Sequence, residues 1–242
     1  MDPQHKETIA LKYVFSFKDG TQKEFPITLD GQTMRLIKED IIIPPGWAKL
    51  KEFRCPNCPL DASEHEFCPM AAHLSELIDY FKSRESTEEI NLLIETKERK
   101  YEKKVSLQDG LGSLFGIYMV TTGCPILEKL KPMVRYHLPF STMEETTYRV
   151  VTMYLMAQYF LNKKGRQVDW TLKDLAKIYS DIQAVNSNVS DKVRNIIKKD
   201  ASINALVKLD CSAFYISFRL NSDILNEIES YFNAYLQELP RV

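Results

Sequence analysis

The 242-residue chain reads as an α+β protein, an N-terminal antiparallel β-meander with one helix followed by a mainly α-helical C-terminal half. Apolar residues alternate with period two through much of the first hundred positions, and from Leu107 onward they recur with the helical period. Asp-Gly pairs between the alternating runs mark where the chain reverses.

In the meander, Tyr13, Phe15 and Phe17 alternate with Val14, Ser16 and Lys18. Asp19-Gly20 follows, and Phe25, Ile27 and Leu29 resume the alternation. A tight hairpin turn needs positive φ, which glycine adopts without steric cost. Asp30-Gly31 repeats the device before a short run from Thr33 to Ile37. Residues 38–69 are irregular, with Pro44-Pro45-Gly46 and three cysteines. A helix is expected to start at Pro69, because the first helical position has no use for an N–H. Met70, Leu74, Leu77, Ile78 and Phe81 then share one face. Two further strands are expected at 89–96 and 101–107.

In the second half, Ser141-Thr142-Met143-Glu144 has capping-box spacing. The run Val150 to Leu161 behind it is apolar nearly all round, which predicts a central, buried helix closed by Gly165. Thr171-Leu172-Lys173-Asp174 predicts another capping box, with Leu175, Ile178, Tyr179, Ile182 and Val185 as an inner stripe. A last helix would carry Leu225, Ile228, Tyr231, Phe232 and Tyr235, while Cys211 to Leu220 fits either period. We divide the chain into a β-rich subdomain with the cysteine loop (1–107) and a helical subdomain (108–242), packed as one unit.

Composition narrows the class. At 44% hydrophobic and 27% charged residues the chain has the makings of a globular core. Lys+Arg total 32 against 33 Asp+Glu, so no charge excess argues for nucleic acid or an anionic membrane surface. No apolar run approaches the ~20 residues that span a bilayer. The N-terminus, Met1-Asp2-Pro3-Gln4-His5-Lys6-Glu7, lacks a signal-peptide pattern. A cytoplasmic protein is expected, with reduced thiols.

The cysteines carry the chemistry. Cys55-Pro56-Asn57-Cys58-Pro59 is followed by Cys68-Pro69 and later by Cys124-Pro125, so four of five cysteines precede a proline. With proline at about 5% of residues, chance would produce this in well below about one chain in a thousand. A two-residue spacer lets Cys55 and Cys58 aim at one centre. Where Pro69 and Pro125 open helices, Cys68 and Cys124 would sit at the positive end of the helix dipole, which favours thiolate. We therefore expect Cys55, Cys58, Cys68 and Cys124 to hold one metal, zinc first and an iron–sulfur cluster second. His73 and His65 are reserve ligands. If all four sulfurs share the metal, it joins the two halves of the chain. Cysteines as plain buried hydrophobes are the competing reading, and Cys211 is read that way. A thioredoxin-like motif fits less well, because no strand–helix context surrounds the Cys-x-x-Cys.

Other candidates are weaker. His137 with Glu144, Glu145 and Arg149 would form a polar site, but structural ion pairs for Arg135 and Arg149 and a satisfied His137 are favoured. The glycines at 110, 112 and 116 precede no phosphate-binding lysine and are read as allowing close helix packing. No nucleophilic triad, P-loop or His-Glu-x-x-His pattern occurs.

The Cys-Pro-Asn-Cys-Pro-Leu string, Cys68-Pro69, Gly123-Cys124-Pro125 and the block His137-Leu138-Pro139-Phe140 to Tyr148-Arg149 together resemble an uncharacterised bacterial family, described only as a domain of unknown function. The resemblance spans about Lys12 to Ile197. It implies a bacterial cytoplasmic protein and transfers no activity, cofactor or catalytic residue. The function expected from the residues is a zinc-stapled binding or regulatory protein with an unidentified protein or small-molecule partner. An iron–sulfur redox or sensor protein, or a metal- or thiol-dependent enzyme, are the alternatives.

Overall fold

Five strands form one antiparallel sheet in the computed structural model, whose described residues are 7–38, 43–220 and 228–237. They are β1 (Thr8–Phe17), β2 (Gln22–Asp30), β3 (Leu36–Ile37), β4 (Glu89–Thr96) and β5 (Lys100–Ser106), in spatial order β3-β2-β1-β4-β5. The first three are a meander, and the β4–β5 hairpin joins the free edge of β1 after a helical excursion. Period-two alternation gives the sheet one apolar face, with Tyr13, Phe15, Phe25, Ile27 and Leu92 buried. The other face is charged: Lys12 bridges Glu95 at 2.8 Å, and Lys100 meets the same carboxylate at 2.6 Å.

The first hairpin turns at Gly20, with φ of +82°. At the second turn the glycine has a different purpose. Gly31 is not left-handed; a Cβ there would stand 2.4 Å from the Glu7 carbonyl oxygen, so glycine admits close backbone approach. The left-handed residue is Met34 (φ +58°).

Before β4 the chain forms α1 (Leu50–Phe53) and α2 (Pro69–Phe81). Helix α2 starts where the proline places it, with Cys68 as N-cap and Met70, Leu74, Leu77, Ile78 and Phe81 all buried. Phe81 packs on the sheet, its ring 5.3 Å from Phe15 and 5.6 Å from Phe25. A side chain of that size gains about 1.5–3 kcal/mol on burial.

After the sheet come α3 (Leu107–Thr121), α4 (Lys131–Arg135), α5 (Met143–Lys163), α6 (Lys173–Arg194) and α7 (Ala201–Leu220). The residues 211–220 thus take the helical period. Helix α3 is buried nearly all round between the sheet and α7. Gly110 lets it touch the sheet: a Cβ would lie 3.0 Å from Leu92 and 3.2 Å from Ile90 and Phe15. Asp200, just before α7, ties that helix to the turn before β4 by accepting from the Ser86 N–H (2.8 Å) and hydroxyl (2.9 Å).

Four expectations are corrected. Helix α5 is capped by Thr142, not Ser141: Thr142 Oγ1 accepts from the Glu145 N–H at 3.1 Å, and Glu145 accepts from the Thr142 N–H at 2.7 Å. Nor is α5 central. Met156, Tyr159 and Phe160 are exposed, and its buried side is a narrow stripe that includes Val150, Val151 and Tyr154. At α6 the box built on Thr171 is replaced by Asp169, which accepts from the N–H groups of Thr171 and Asp174 while Leu172 turns left-handed. The last helix is present as short helical pieces, Ser230–Phe232 and Asn233–Leu236, but Tyr231, Phe232 and Tyr235 on it are exposed, and Leu225 lies outside the described residues.

Candidate metal centre

Local structure delivers each cysteine to the site differently. Leu50 and Phe53 of α1 are buried and anchor the segment that leads into Cys55. Cys55-Pro-Asn-Cys58 is a tight turn, with the Cys58 N–H donating to the Cys55 carbonyl at 3.1 Å. A short antiparallel clasp closes the loop behind it: the Leu50 N–H reaches the Glu66 carbonyl and the Cys68 N–H the Ala48 carbonyl, each at 2.9 Å. That clasp sets Cys68 beside the turn. Cys124 opens the turn after α3, its carbonyl accepting from the Glu128 N–H at 3.0 Å.

All four thiols line one small apolar cavity of about 20 Å³, walled by Leu50, Phe53, Met70, Ile126 and Val185 among others. No disulfide joins them. Burial pushes the Cys55 thiol up to about 12, and the neighbouring Cys68, Cys124 and Cys58 add to the rise. Cys68 is pushed up to about 11 by burial, against hydrogen bonds from the Ala71 and Met70 N–H groups at the start of α2. Cys124 is raised by burial too, opposed by the Leu127 and Ile126 N–H groups. The Asn188 amide on α6 donates to Cys55 Sγ at 3.3 Å. Two opposed effects therefore act on the sulfurs: the apolar wall keeps them protonated, and donors at two helical N-termini favour their charged form.

The reserve ligands are elsewhere. His65 is exposed, and His73 Nδ1 is held by the Pro69 carbonyl at 2.8 Å; neither lines the cavity. Cys211, read as a buried hydrophobe, is exposed on α7. Among the described residues, no group of three or more His, Cys, Asp or Glu stands in an arrangement that would hold an ion as it is. The four thiols share a cavity without being drawn together around its centre.

A family profile described as a domain of unknown function, DUF6901, matches residues 11–233. The chain belongs to the DUF6901 family. No curated protein and no solved structure matches this DUF6901 chain.

The second candidate group is dispersed. Glu144 and Glu145 are exposed, with Glu145 spent on the α5 cap. Arg135 and Arg149 make no ion pair among the described residues: Arg149 Nη2 donates to the carbonyls of Met133 (2.9 Å) and Tyr136 (2.7 Å), and Arg135 lies against the Tyr136 ring. His137 is satisfied, as expected, but through a residue no local pattern indicated. Its Nε2 shares a 2.6 Å hydrogen bond with the Tyr13 hydroxyl of β1, which also meets Ser113 Oγ at 2.8 Å. Asn188 was missed as well. Its only sequence signal is a polar residue next to Val189 on the buried side of α6.

Proposed function

We propose that this DUF6901 chain is a metal-stapled binding or regulatory protein in which Cys55, Cys58, Cys68 and Cys124 hold one ion, zinc in the first place. One observation carries the reading: four cysteines from three separate stretches of chain line a single small cavity, and among the described residues no histidine or carboxylate lines it. Five N–H donors, from Met70, Ala71, Ile126, Leu127 and Asn188, reach these sulfurs. Such donors would spread the negative charge left when four thiolates surround a dication.

Size favours a single ion. A cavity of about 20 Å³ is close to one water-sized sphere of about 10–15 Å³. With every ligand position taken by sulfur, zinc has no open site for water, so its role is cohesion and not catalysis. The cohesion is long-range, since Cys124 follows α3 while the other ligands precede β4. Structural zinc contributes about 10 kcal/mol to folding in small peptides, comparable with the whole net stability of a domain. The reading is of a cytoplasmic protein, which cysteines used as metal ligands support, with a protein or small molecule as partner and neither nucleic acid nor membrane, which the balanced charge supports. Among the described residues, no helix is long and apolar enough to cross a membrane.

Elemental analysis with an absorption spectrum on anaerobically purified protein tests the proposal. About one zinc per chain and no visible colour is the expected result. Iron with acid-labile sulfide would instead establish the redox or sensor reading, and absence of metal would overturn both. Cys124→Ser should lose the metal and Cys211→Ser should keep it; equal metal content in the two would remove Cys124 from the site.

A further inference from the structure

A second cavity, of about 460 Å³, opens between α3, α4, α5, α6 and α7, with Lys103 and Val105 of β5 and His137 also in its wall. Its volume lies in the range of small-molecule sites, about 300–1,000 Å³, and most of its wall is apolar. Three polar side chains in that wall are incompletely used. Arg149 spends one nitrogen on backbone carbonyls and faces no carboxylate at ion-pair distance among the described residues. Tyr179 and Asn186 are each only 4% exposed, both line the cavity, and neither side chain has a hydrogen-bond partner among the described residues. Both line the cavity from one face of α6, so their hydrogen-bonding groups are available to an occupant. Tyr179 and Asn186 are seven residues apart, two turns of α6, so they lie on the same side about 10 Å from one another. The Arg149 guanidinium is near enough to Tyr179 to act on its phenol electrostatically.

We propose that this cavity binds a small organic acid with an apolar body, its carboxylate held by Arg149 and the Tyr179 hydroxyl and its chain running along α6 toward Asn186. A guanidinium and a phenol O–H together match the two oxygens of a carboxylate. Ile182, between the two polar residues, and Ile216 opposite supply apolar wall for the body. At the rim, Lys103 stands over the Phe140 ring, and its charge favours entry of an anion. His137 is already bonded to Tyr13 and forms part of the wall without needing the ligand.

The test is calorimetric titration of the metal-replete protein with octanoate, octanol and octylamine. Octanoate should bind once per chain and about tenfold more tightly than octanol, with octylamine weakest. Tyr179→Phe removes a hydroxyl that holds nothing in the fold, so it should leave the melting temperature unchanged while weakening octanoate about tenfold. Ile216→Trp, which fills the cavity, should abolish binding. Absence of saturable octanoate binding, equal affinity for octanol, or an unchanged octanoate affinity in Tyr179→Phe would each overturn the proposal and identify the cavity as water-filled space.

Discussion

The Asn188 side chain on α6 donates both to Cys55 Sγ and to the Phe53 carbonyl, each at 3.3 Å, across more than 130 positions of chain. With the Asn57 amide, which donates to the Asp181 carbonyl at 3.0 Å, it ties the cysteine turn to α6 without any metal. Asn188→Leu should leave the Phe53 carbonyl unpaired and remove a donor from the sulfur. The expected cost is about 1–3 kcal/mol in denaturant unfolding, together with an about ten- to hundredfold gain in the rate or extent of metal loss to a chelator, as when a group that hydrogen-bonds a metal's ligand is removed. Retention of metal with unchanged stability would show that the contact contributes nothing.

Metal removal should make stability fall with rising pH. Cys55 and Cys68 are pushed to about 12 and about 11 in the metal-free fold, above the unfolded thiol value of about 8.5. The folded chain then keeps protons that the unfolded chain gives up, so the stability from neutral buried thiols is complete below about pH 8.5 and lost above it. Chelator-treated protein should melt at progressively lower temperature between about pH 8.5 and 11, whereas metal-loaded protein, its thiolates already formed, should not. Parallel melting curves for the two forms would contradict this.

His137 works in the opposite direction. Burial, helped by the Arg149 guanidinium, lowers it from the usual value near 6.5 to about 4. The unfolded chain takes up its proton first as pH falls, so stability is full above about pH 6.5 and declines toward pH 4. At about 1.4 kcal/mol per unit the loss amounts to about 3 kcal/mol. His137→Gln should be less stable at neutral pH, with a flatter dependence between pH 6.5 and 4; an equal slope would place the acid sensitivity elsewhere.

Two glycines of α3 should respond to alanine with opposite signs. Helix propensity favours alanine by up to about 1 kcal/mol at both. At Gly110 the added methyl would crowd Leu92, Ile90 and Phe15 at 3.0–3.2 Å, and overpacking of this kind costs about 1–3 kcal/mol. At Gly112 the nearest atom, the Ala205 carbonyl oxygen, is 3.6 Å away, an ordinary contact. Urea midpoints should therefore fall for Gly110→Ala and rise slightly for Gly112→Ala. The same sign at both positions would mean that α3 is not pressed against the sheet through Gly110.

Elements that depend on a few adjacent residues were legible in the sequence. Alternation around Asp19-Gly20 is enough to write the first hairpin, and Pro69 behind Cys68 marks the start of α2 to the residue. The Thr142 cap was displaced by only one position, because serine and threonine compete for the role and the choice falls to which hydroxyl meets the Glu145 N–H. Burial was harder to read. Val150 to Leu161 is apolar on most sides, yet Met156, Tyr159 and Phe160 face out, since a helix at the edge of the fold covers only the side its neighbours touch.

For the candidate site, the sequence by itself determined the Cys-x-x-Cys turn, the cysteine at the head of α2 and the absence of a local catalytic pattern, all consequences of backbone geometry over a few residues. Only the tertiary structure decided that Cys124 shares the cavity of Cys55, that His65 and His73 do not, and that Asn188 and Tyr13 complete hydrogen bonds begun far away in the chain. Local propensities fix where the backbone turns. Which side chains meet is settled by how α3, α6 and the sheet dock, and that docking follows from the total apolar surface they bury together, which no short stretch of sequence carries.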